Sequence, residues 1–292
     1  MAIVFIAILL VLVLSYYLPD APRLRNFGWL RHWLEQGAQQ SSAVLGLVIS
    51  IGLPVLLCLI VQLALRGSLF GLASLAFSLA VLFYCLGPRD LERDVEAVDK
   101  APDSDQRTTA AQALRPEESE EPLPFQAEAL VAAAFDASLR RMFGVIFWFV
   151  LLGPVGAFLY RITQLLAFAP DYAHTSPAPQ QALAEKFARV LDWAPAHLIA
   201  LALALAGDFD AVFKAWRDYH VARSKGYFCL ELGFLNAIAR ASVDADVAAG
   251  DGHVIDLASP LVALDDAITL IRRVLVVWVA VIALVVIAGW FG

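Results

Sequence analysis

The chain has 292 residues, of which 60% are hydrophobic and only 17% are charged. Its mean hydropathy is +0.71, whereas about a quarter of the residues in soluble domains are charged. This composition is typical of an integral membrane protein. The net charge of −7 and the lack of a basic run in the sequence argue against a nucleic-acid partner. The three widely spaced cysteines indicate small buried side chains rather than a disulfide or metal site.

Six apolar segments are long enough to be interpreted as transmembrane helices, because about 20 apolar residues cross roughly 30 Å of hydrocarbon. They are residues 2–18, 43–65, 68–86, 144–168, 187–206 and 273–291. The sequence therefore predicts an all-α integral membrane protein with about six transmembrane helices and a small cytoplasmic helical unit.

This prediction divides the chain into five parts. In order they are residues 1–86 with three transmembrane helices, 87–142 as a cytoplasmic loop, 143–206 with transmembrane helices four and five, 207–271 as the cytoplasmic helical unit, and 272–292 as the C-terminal transmembrane helix. Within the loop, residues 101–124 are rich in Pro, Ser, Asp and Glu and have no apolar periodicity, which predicts a flexible segment.

Lysines and arginines decide the predicted orientation, because they collect in the cytoplasmic loops of membrane proteins. If the N-terminus lies outside and all six segments cross, most of the 21 lysines and arginines fall on the cytoplasmic side. The charge pattern therefore predicts that both termini lie on the outer side of the membrane.

Two ionisable residues belong to adjacent predicted spans, Arg161 in the fourth and Asp192 at the start of the fifth. Such groups are costly in lipid and usually face the bundle interior or a partner. At a rise of about 1.5 Å per residue, both lie at a similar depth. We therefore expect them to pair as part of a ligand or signalling site. The alternative is that Arg161 extends to the lipid headgroups and Asp192 caps its helix.

His197 is the third ligand or signalling candidate, because it lies about one helical turn after Asp192. It would sense pH or contact a ligand, and the alternative is a hydrogen bond to a neighbouring helix. Gly153, Pro154 and Gly156 predict a kink in the fourth span, since proline with nearby glycines loosens the helical backbone. The sequence contains no familiar nucleotide-binding, zinc-protease or hydrolase motif. It therefore nominates no catalytic residue, metal ligand or cofactor.

Two segments are similar to a known superfamily. They read WFVLLGPVGAFLYR at residues 148–161 and LDWAPAHLIALALALAG at residues 191–207. In the CobD/CbiB and AmpE superfamily, which they resemble, a Gly-rich span ending in Tyr-Arg precedes a Pro-Ala-x-Leu span. The position of the cytoplasmic loop, the Ala-Trp pair at 215–216 and the lone C-terminal span agree with this resemblance.

The resemblance implies different functions for the two branches. CobD/CbiB proteins attach an aminopropanol unit to a corrinoid, whereas AmpE is linked to β-lactamase induction and cell-wall recycling. The chain departs from the synthase branch at residues 162–165, which read Ile-Thr-Gln-Leu instead of Asn-Thr-Leu-Asp. It also reads LPDAPRLRNFGWLRHW where that branch has an Asp-Pro…His-Pro-Val region. These departures favour the AmpE branch.

The resemblance therefore implies a non-catalytic signalling modulator in the bacterial inner membrane, and the charge pattern predicts that both of its termini are periplasmic. Its expected partners are the lipid bilayer and an AmpD-like amidase or a muropeptide, and the sequence specifies no oligomeric state. The alternatives are a membrane-embedded CobD/CbiB-like amide-forming synthase and a small-solute transporter, although no inverted repeat is visible for the latter. A synthase requires carboxylates that converge on a cytoplasmic cleft, and the candidates are Asp90, Asp94, Asp136, Asp265 and Asp266.

Overall fold

The computed structural model describes residues 2–17, 25–37, 42–65, 71–87, 91–115, 121–169, 172, 175–223, 230–249 and 259–289. Within these ranges every regular element is a helix, which confirms the all-α prediction. The helices are α1 (Ala2–Tyr17), α2 (Gly28–Gly37), α3 (Ala43–Ala64), α4 (Leu72–Cys85), α5 (Leu91–Lys100), α6 (Ser104–Ala111), α7 (Ala127–Ser138), α8 (Gly144–Leu152), α9 (Pro154–Phe168), α10 (Ala178–Ala206), α11 (Phe209–Arg223), α12 (Gly233–Ala249) and α13 (Pro260–Ile287).

Three of these helices, α3, α10 and α13, are long and apolar enough to cross a membrane. Shorter apolar helices cover Ile3–Ser15 and Leu72–Cys85. Their length and composition are consistent with a chain that resides in a lipid bilayer. The six predicted spans are not confirmed.

Contacts between helices divide the chain into two compact units. Unit 1 comprises Met1–Pro88, Arg140–Leu191 and Ala283–Gly292, and unit 2 comprises Arg89–Leu139 and Asp192–Ile282. This division differs from the predicted one, which began a separate helical unit at residue 207. The second half of α10, from Asp192 onwards, belongs to the same unit as α11 and α12.

The predicted fourth span is two helices rather than one. Helix α8 ends at Leu152, and Gly153 has a φ of +72° before α9 begins. A methyl group added to Gly144 would overlap the phenol ring of Tyr160. Residues so far apart in the sequence touch only if the chain turns back, so α8 and α9 form an antiparallel hairpin.

The reversal at Gly153 explains why residues 144–168 do not form one continuous helix. Helix α8 follows α7 without a break through a π-helical turn at Leu139–Phe143, so its nine residues are the end of a longer helix. Gly153, Pro154 and Gly156 therefore mark a reversal of the chain rather than the predicted kink. The charge argument for the orientation counted this segment as a crossing, and the prediction that both termini are periplasmic stays a prediction.

Gln62 of α3 holds the reversal together. Its side-chain oxygen accepts a hydrogen bond from Val155 N at 3.0 Å, and its side-chain nitrogen donates to Leu152 O at 3.3 Å. In apolar surroundings, backbone groups that leave a helix need such partners, because no water replaces them. A single glutamine thus satisfies both sides of the turn.

Helix α9 forms the core of unit 1. Thirteen of its 15 residues are buried, and it packs against α3, α4 and α8. A helix that is apolar on most sides is buried either in lipid or in protein. In α9 the surroundings are protein.

Unit 2 contains regular structure in the described part of the predicted flexible segment, and residues 116–120 of that segment lie outside the described residues. The predicted flexible segment, residues 101–124, includes α6, whose first turn is capped by Asp103: its carboxylate accepts a hydrogen bond from Gln106 N at 2.7 Å. Further on, the Gln112 side chain bonds both the N–H and the carbonyl of Leu123. These polar contacts stabilise local structure that apolar periodicity does not reveal.

We expect Gly144→Ala to destabilise unit 1, because the added methyl group overlaps the Tyr160 ring. Overpacking of this kind costs about 1–3 kcal/mol. The thermal midpoint in detergent measures the effect. Gly52→Ala is the matched control, since its methyl group meets only a Val48 methyl at 3.8 Å. Equal midpoints for both variants would contradict the α8–α9 packing.

We expect Gln62→Met to weaken the α8–α9 reversal while keeping the side-chain volume. It removes the partners of Leu152 O and Val155 N, and each unsatisfied buried group costs about 1–3 kcal/mol. Hydrogen exchange at the Val155 amide should accelerate relative to Leu63→Met, a change on the exposed neighbouring side chain. Unchanged protection in Gln62→Met would show that the glutamine does not hold the turn.

Candidate functional site

Unit 2 contains a cavity of about 570 Å³ between α5 and α13. Its most notable feature is the number of carboxylates in its walls. They are Glu92, Glu96 and Asp99 of α5 and Asp265 and Asp266 of α13. Apolar side chains such as Val95, Leu264 and Ile268 complete the lining. The cavity thus combines negative charge with an apolar surface.

Two cations neutralise part of this charge. Arg272 Nε donates to Glu92 Oε1 at 2.7 Å, and the Lys100 ammonium donates to Glu96. The hydrogen bond from Lys100 and the charge of Lys100 hold the pKa of Glu96 below its ordinary value. The same hydrogen bond and the charge of Glu96 raise the pKa of Lys100. Among the carboxylates of the cavity, Asp266 is buried, with 9% of its surface exposed. The carboxylates outnumber the cations in the lining, so the cavity favours a positively charged group.

The arrangement of these carboxylates is not that of a preformed metal centre. Among the residues that the structure describes, no group of three or more His, Cys, Asp or Glu side chains is placed to hold a metal ion. Carboxylates spread along two helices instead suit an organic cation, such as an ammonium group flanked by apolar atoms.

The sequence identified part of this cavity. It named Asp265 and Asp266 among the candidate carboxylates, but it missed the three from α5. Their spacing of four and then three residues places them on one helix face, which is the signal that predicts a shared lining. Asp136 lies instead on α7, where its carboxylate accepts a hydrogen bond from Asn236 at 3.4 Å. Asp90 lies outside the described residues.

His197 lies in an aromatic cluster of unit 2. Its Nδ1 is 2.7 Å from Trp193 O of the same helix. Its ring centroid is 4.5 Å from that of Phe234 on α12 and 6.0 Å from that of Trp216 on α11. Because a carbonyl oxygen only accepts hydrogen bonds, Nδ1 carries a proton. His197 therefore joins α10 to α11 and α12 through ring packing, and its predicted role in pH sensing or ligand contact stays a prediction.

A second histidine, His220, contacts the same phenylalanine. Its Nδ1 is 2.8 Å from Trp216 O, and its ring centroid lies 6.0 Å from that of Phe234. The start of α12 fits closely here, since a methyl group on Gly233 would overlap the Tyr219 hydroxyl. Sequence analysis missed the contact of His197 with Phe234 because Phe234 lies on α12, far along the chain from His197. Phe234 is the shared centre of both histidine contacts.

Arg161 and Asp192 are both buried, with 2% and 0% of their surfaces exposed. Arg161 belongs to unit 1, where its guanidinium carbon lies 6.0 Å from the centre of the Phe27 ring. This burial in protein rules out the alternative in which Arg161 extends to the lipid headgroups. Asp192 belongs to unit 2, and its pairing with Arg161 stays a prediction.

Among the described residues of unit 1, Arg161 is one of three buried arginines that lie over phenylalanine rings. Arg25 is 4.7 Å from the Phe83 centroid, and Arg140 is 4.4 Å from the Phe168 centroid. Such cation–π contacts stabilise a desolvated cation. Arg25 also donates to Gly87 O at 2.8 Å and to Ser15 Oγ at 2.9 Å. Rings and neutral oxygens of unit 1 therefore contribute to the stabilisation of these buried cations.

These features define a helical membrane protein with buried charges in one unit and an acidic cavity in the other. The sequence profile of the CobD/CbiB protein family matches residues 6–226. The chain therefore belongs to the CobD/CbiB family. No solved structure matches it.

One curated relative is the Cobalamin biosynthesis protein CobD of Chromobacterium violaceum. It is 27% identical over 142 residues, which cover 47% of this chain and 46% of the relative. The chain thus spans about half the length of this relative. The superfamily predicted from the sequence is confirmed, whereas neither comparison supports its AmpE branch.

We expect Phe234→Ala to destabilise unit 2, since this ring is 1% exposed and packs on both His197 and His220. Loss of a buried phenylalanine costs about 3–5 kcal/mol. The thermal midpoint in detergent and the tryptophan fluorescence report it. Phe213→Ala is the matched control, because its ring is 52% exposed. A larger effect from Phe213→Ala would contradict the central role of Phe234.

Proposed function

We propose that the protein is a membrane-embedded synthase of the CobD/CbiB type, which forms an amide between an amine and a corrinoid. The observation that carries this proposal is the family match over residues 6–226. The relative in Chromobacterium violaceum is named for cobalamin biosynthesis. This function is the alternative that the sequence left open beside the AmpE branch.

The acidic cavity supports the proposal through the chemistry of the amine. A free aliphatic amine is an ammonium ion at neutral pH, and it must lose a proton before it attacks a carboxyl carbon. Carboxylates attract the cation, and a buried one acts more strongly because the surrounding dielectric is low. We assign the binding of the ammonium group to Asp265 and Asp266, with Asp266 as the general base. ATP activates the carboxyl group of the other substrate, so that attack by the amine forms the amide bond and expels the activating phosphate or nucleotide group.

The first experiment is a synthesis assay with the full-length protein in lipid nanodiscs. The substrates are a corrinoid carboxylic acid and aminopropanol, with Mg-ATP as the activating co-reactant, and mass spectrometry detects the amide. We expect amide formation, and we expect Asp266→Asn to lower its rate at least tenfold, as is typical for a general base. Asp210→Asn on the exposed side of α11 is the matched control and should retain the full rate.

The outcomes test the role of the cavity and the synthase function separately. Amide formation at equal rates in both variants would support the synthase function and would show that Asp266 is not the general base. Absence of both amide formation and corrinoid binding, in protein with an unchanged thermal midpoint, would overturn the synthase.

A second candidate is an AmpE-type signalling modulator, and one observation favours it. The resemblance to the synthase branch requires polar side chains just after Arg161. In this chain Ile162 and Leu165 belong to the hydrophobic core of unit 1. Thr163 is fully buried, and its hydroxyl donates to Leu159 O at 2.8 Å within the same helix. This segment therefore serves packing and offers few groups to a nucleotide or amine.

A binding comparison distinguishes the two candidates. Stabilisation by an anhydromuropeptide, without stabilisation by the corrinoid acid, would favour the modulator and a muropeptide partner. Binding of an AmpD-like amidase to the nanodiscs would favour the same function. Corrinoid binding, which is visible in the absorbance of the co-purified protein, would favour the synthase.

A further inference from the structure

Unit 1 contains an apolar cavity of about 510 Å³ that the proposed function does not use. Its walls come from α2, α3 and α9. The side chains on which the inference depends are Trp29, Trp33, Leu56, Leu57, Ile60 and Phe158. All of them are apolar or aromatic, so the cavity suits a hydrocarbon occupant.

The α3 wall of the cavity faces hydrocarbon. Helix α3 has 22 residues, and its most apolar window has a mean hydropathy of 2.9 with only 17% buried in the protein. Leu57 and Ile60 are 65% and 55% exposed. A helix of this length and composition crosses a bilayer, so these side chains meet lipid tails rather than water.

The size of the lining side chains distinguishes a lipid from a second protein helix. Helices that associate within membranes use glycine, alanine and serine at their interface, because small residues allow close approach. This cavity is lined instead by leucine, isoleucine, tryptophan and phenylalanine. A thin, flexible hydrocarbon chain fits between such side chains, whereas a rigid helix does not approach them closely.

Helix α2 places one end of the cavity at the membrane surface. Arg31 and Glu35 form an exposed ion pair at 3.4 Å, while Trp29 and Trp33 line the cavity. Charged residues on one face and tryptophans on the other are typical of a helix at the membrane interface. Trp29 is fixed in place, since its indole N–H donates to the Tyr84 hydroxyl at 3.0 Å.

We propose that this cavity binds one phospholipid of the bilayer through an acyl chain. The chain lies along the exposed face of α3 between Trp29, Trp33 and Phe158, and the headgroup lies beside α2. The ligand class is a diacyl phospholipid, and the site is separate from the acidic cavity of unit 2.

Native mass spectrometry of the full-length protein, reconstituted with palmitoyl-oleoyl phosphatidylethanolamine and released from mild detergent, tests the proposal. We expect one phospholipid to remain bound at energies that remove loosely attached lipids. The double variant Leu57→Trp with Ile60→Phe fills the cavity and should lower the retained fraction at least tenfold. Leu63→Trp is the matched control, because Leu63 is 49% exposed on the same helix but does not line the cavity.

Two results would overturn the proposal. One is equal retention of the phospholipid in the wild type, the filled variant and the control, or no retention in any of them. The other is a dimer that the filled variant abolishes, because a second copy would then occupy the cavity.

A fluorescence measurement keeps the test informative if the filled variant fails to fold. Phospholipid with brominated acyl chains quenches nearby tryptophans in bilayers. We expect the quenched signal to fall in Trp29→Phe and Trp33→Phe relative to the wild type. Identical quenching in all three proteins would show that no acyl chain lies against these indoles.

Discussion

The chain reversal at Gly153 is the constraint on which unit 1 depends. Non-helical backbone in apolar surroundings persists only where other groups satisfy its hydrogen bonds, and Gln62 satisfies both sides of this turn. The reversal keeps α9 inside the protein, where 13 of its 15 residues are buried. Helix α9 then carries Arg161 into the core and supplies the Phe168 ring that lies under Arg140. The reversal therefore positions Arg161 and the ring beneath Arg140 in the core of unit 1.

The sequence predicts the helices of this protein better than it predicts whether lipid or protein surrounds each of them. Apolar composition identified α3 and the α8–α9 region equally well, because both lack a continuous polar face. Yet α3 is largely exposed while α9 is largely buried, and composition does not distinguish lipid from protein as the apolar medium. The Gly-Pro pair at 153–154 signals a break in the helix. Whether the break becomes a kink or a reversal depends on Gln62 and on the fit of Gly144 against Tyr160, which no local pattern contains.

The acidic cavity shows, at the level of side chains, that local sequence patterns do not reveal contacts between distant helices. The periodicity of Glu92, Glu96 and Asp99 is local, so the sequence contains the signal for one wall. The opposite wall comes from Asp265 and Asp266, which follow far along the chain. For His197, sequence analysis identified the residue and its helix, but its contact with Phe234 becomes visible only when α12 packs against α10 and α11. Contacts between helices that are distant in the sequence can be identified only from the folded structure.

The two candidate functions make different demands on this architecture. A synthase needs polar groups that contact its substrates, and the chain provides them as carboxylates of unit 2, whereas the segment after Arg161 is committed to packing. The matched family segment, residues 6–226, includes the α5 wall of the cavity but not the α13 wall. If the cavity binds an amine, then half of that site lies outside the segment that defines the family. The synthase function therefore depends on whether α13 contributes to a common site. Asp266 is the buried carboxylate of that wall, and it is the residue for which the two functions predict the most different roles.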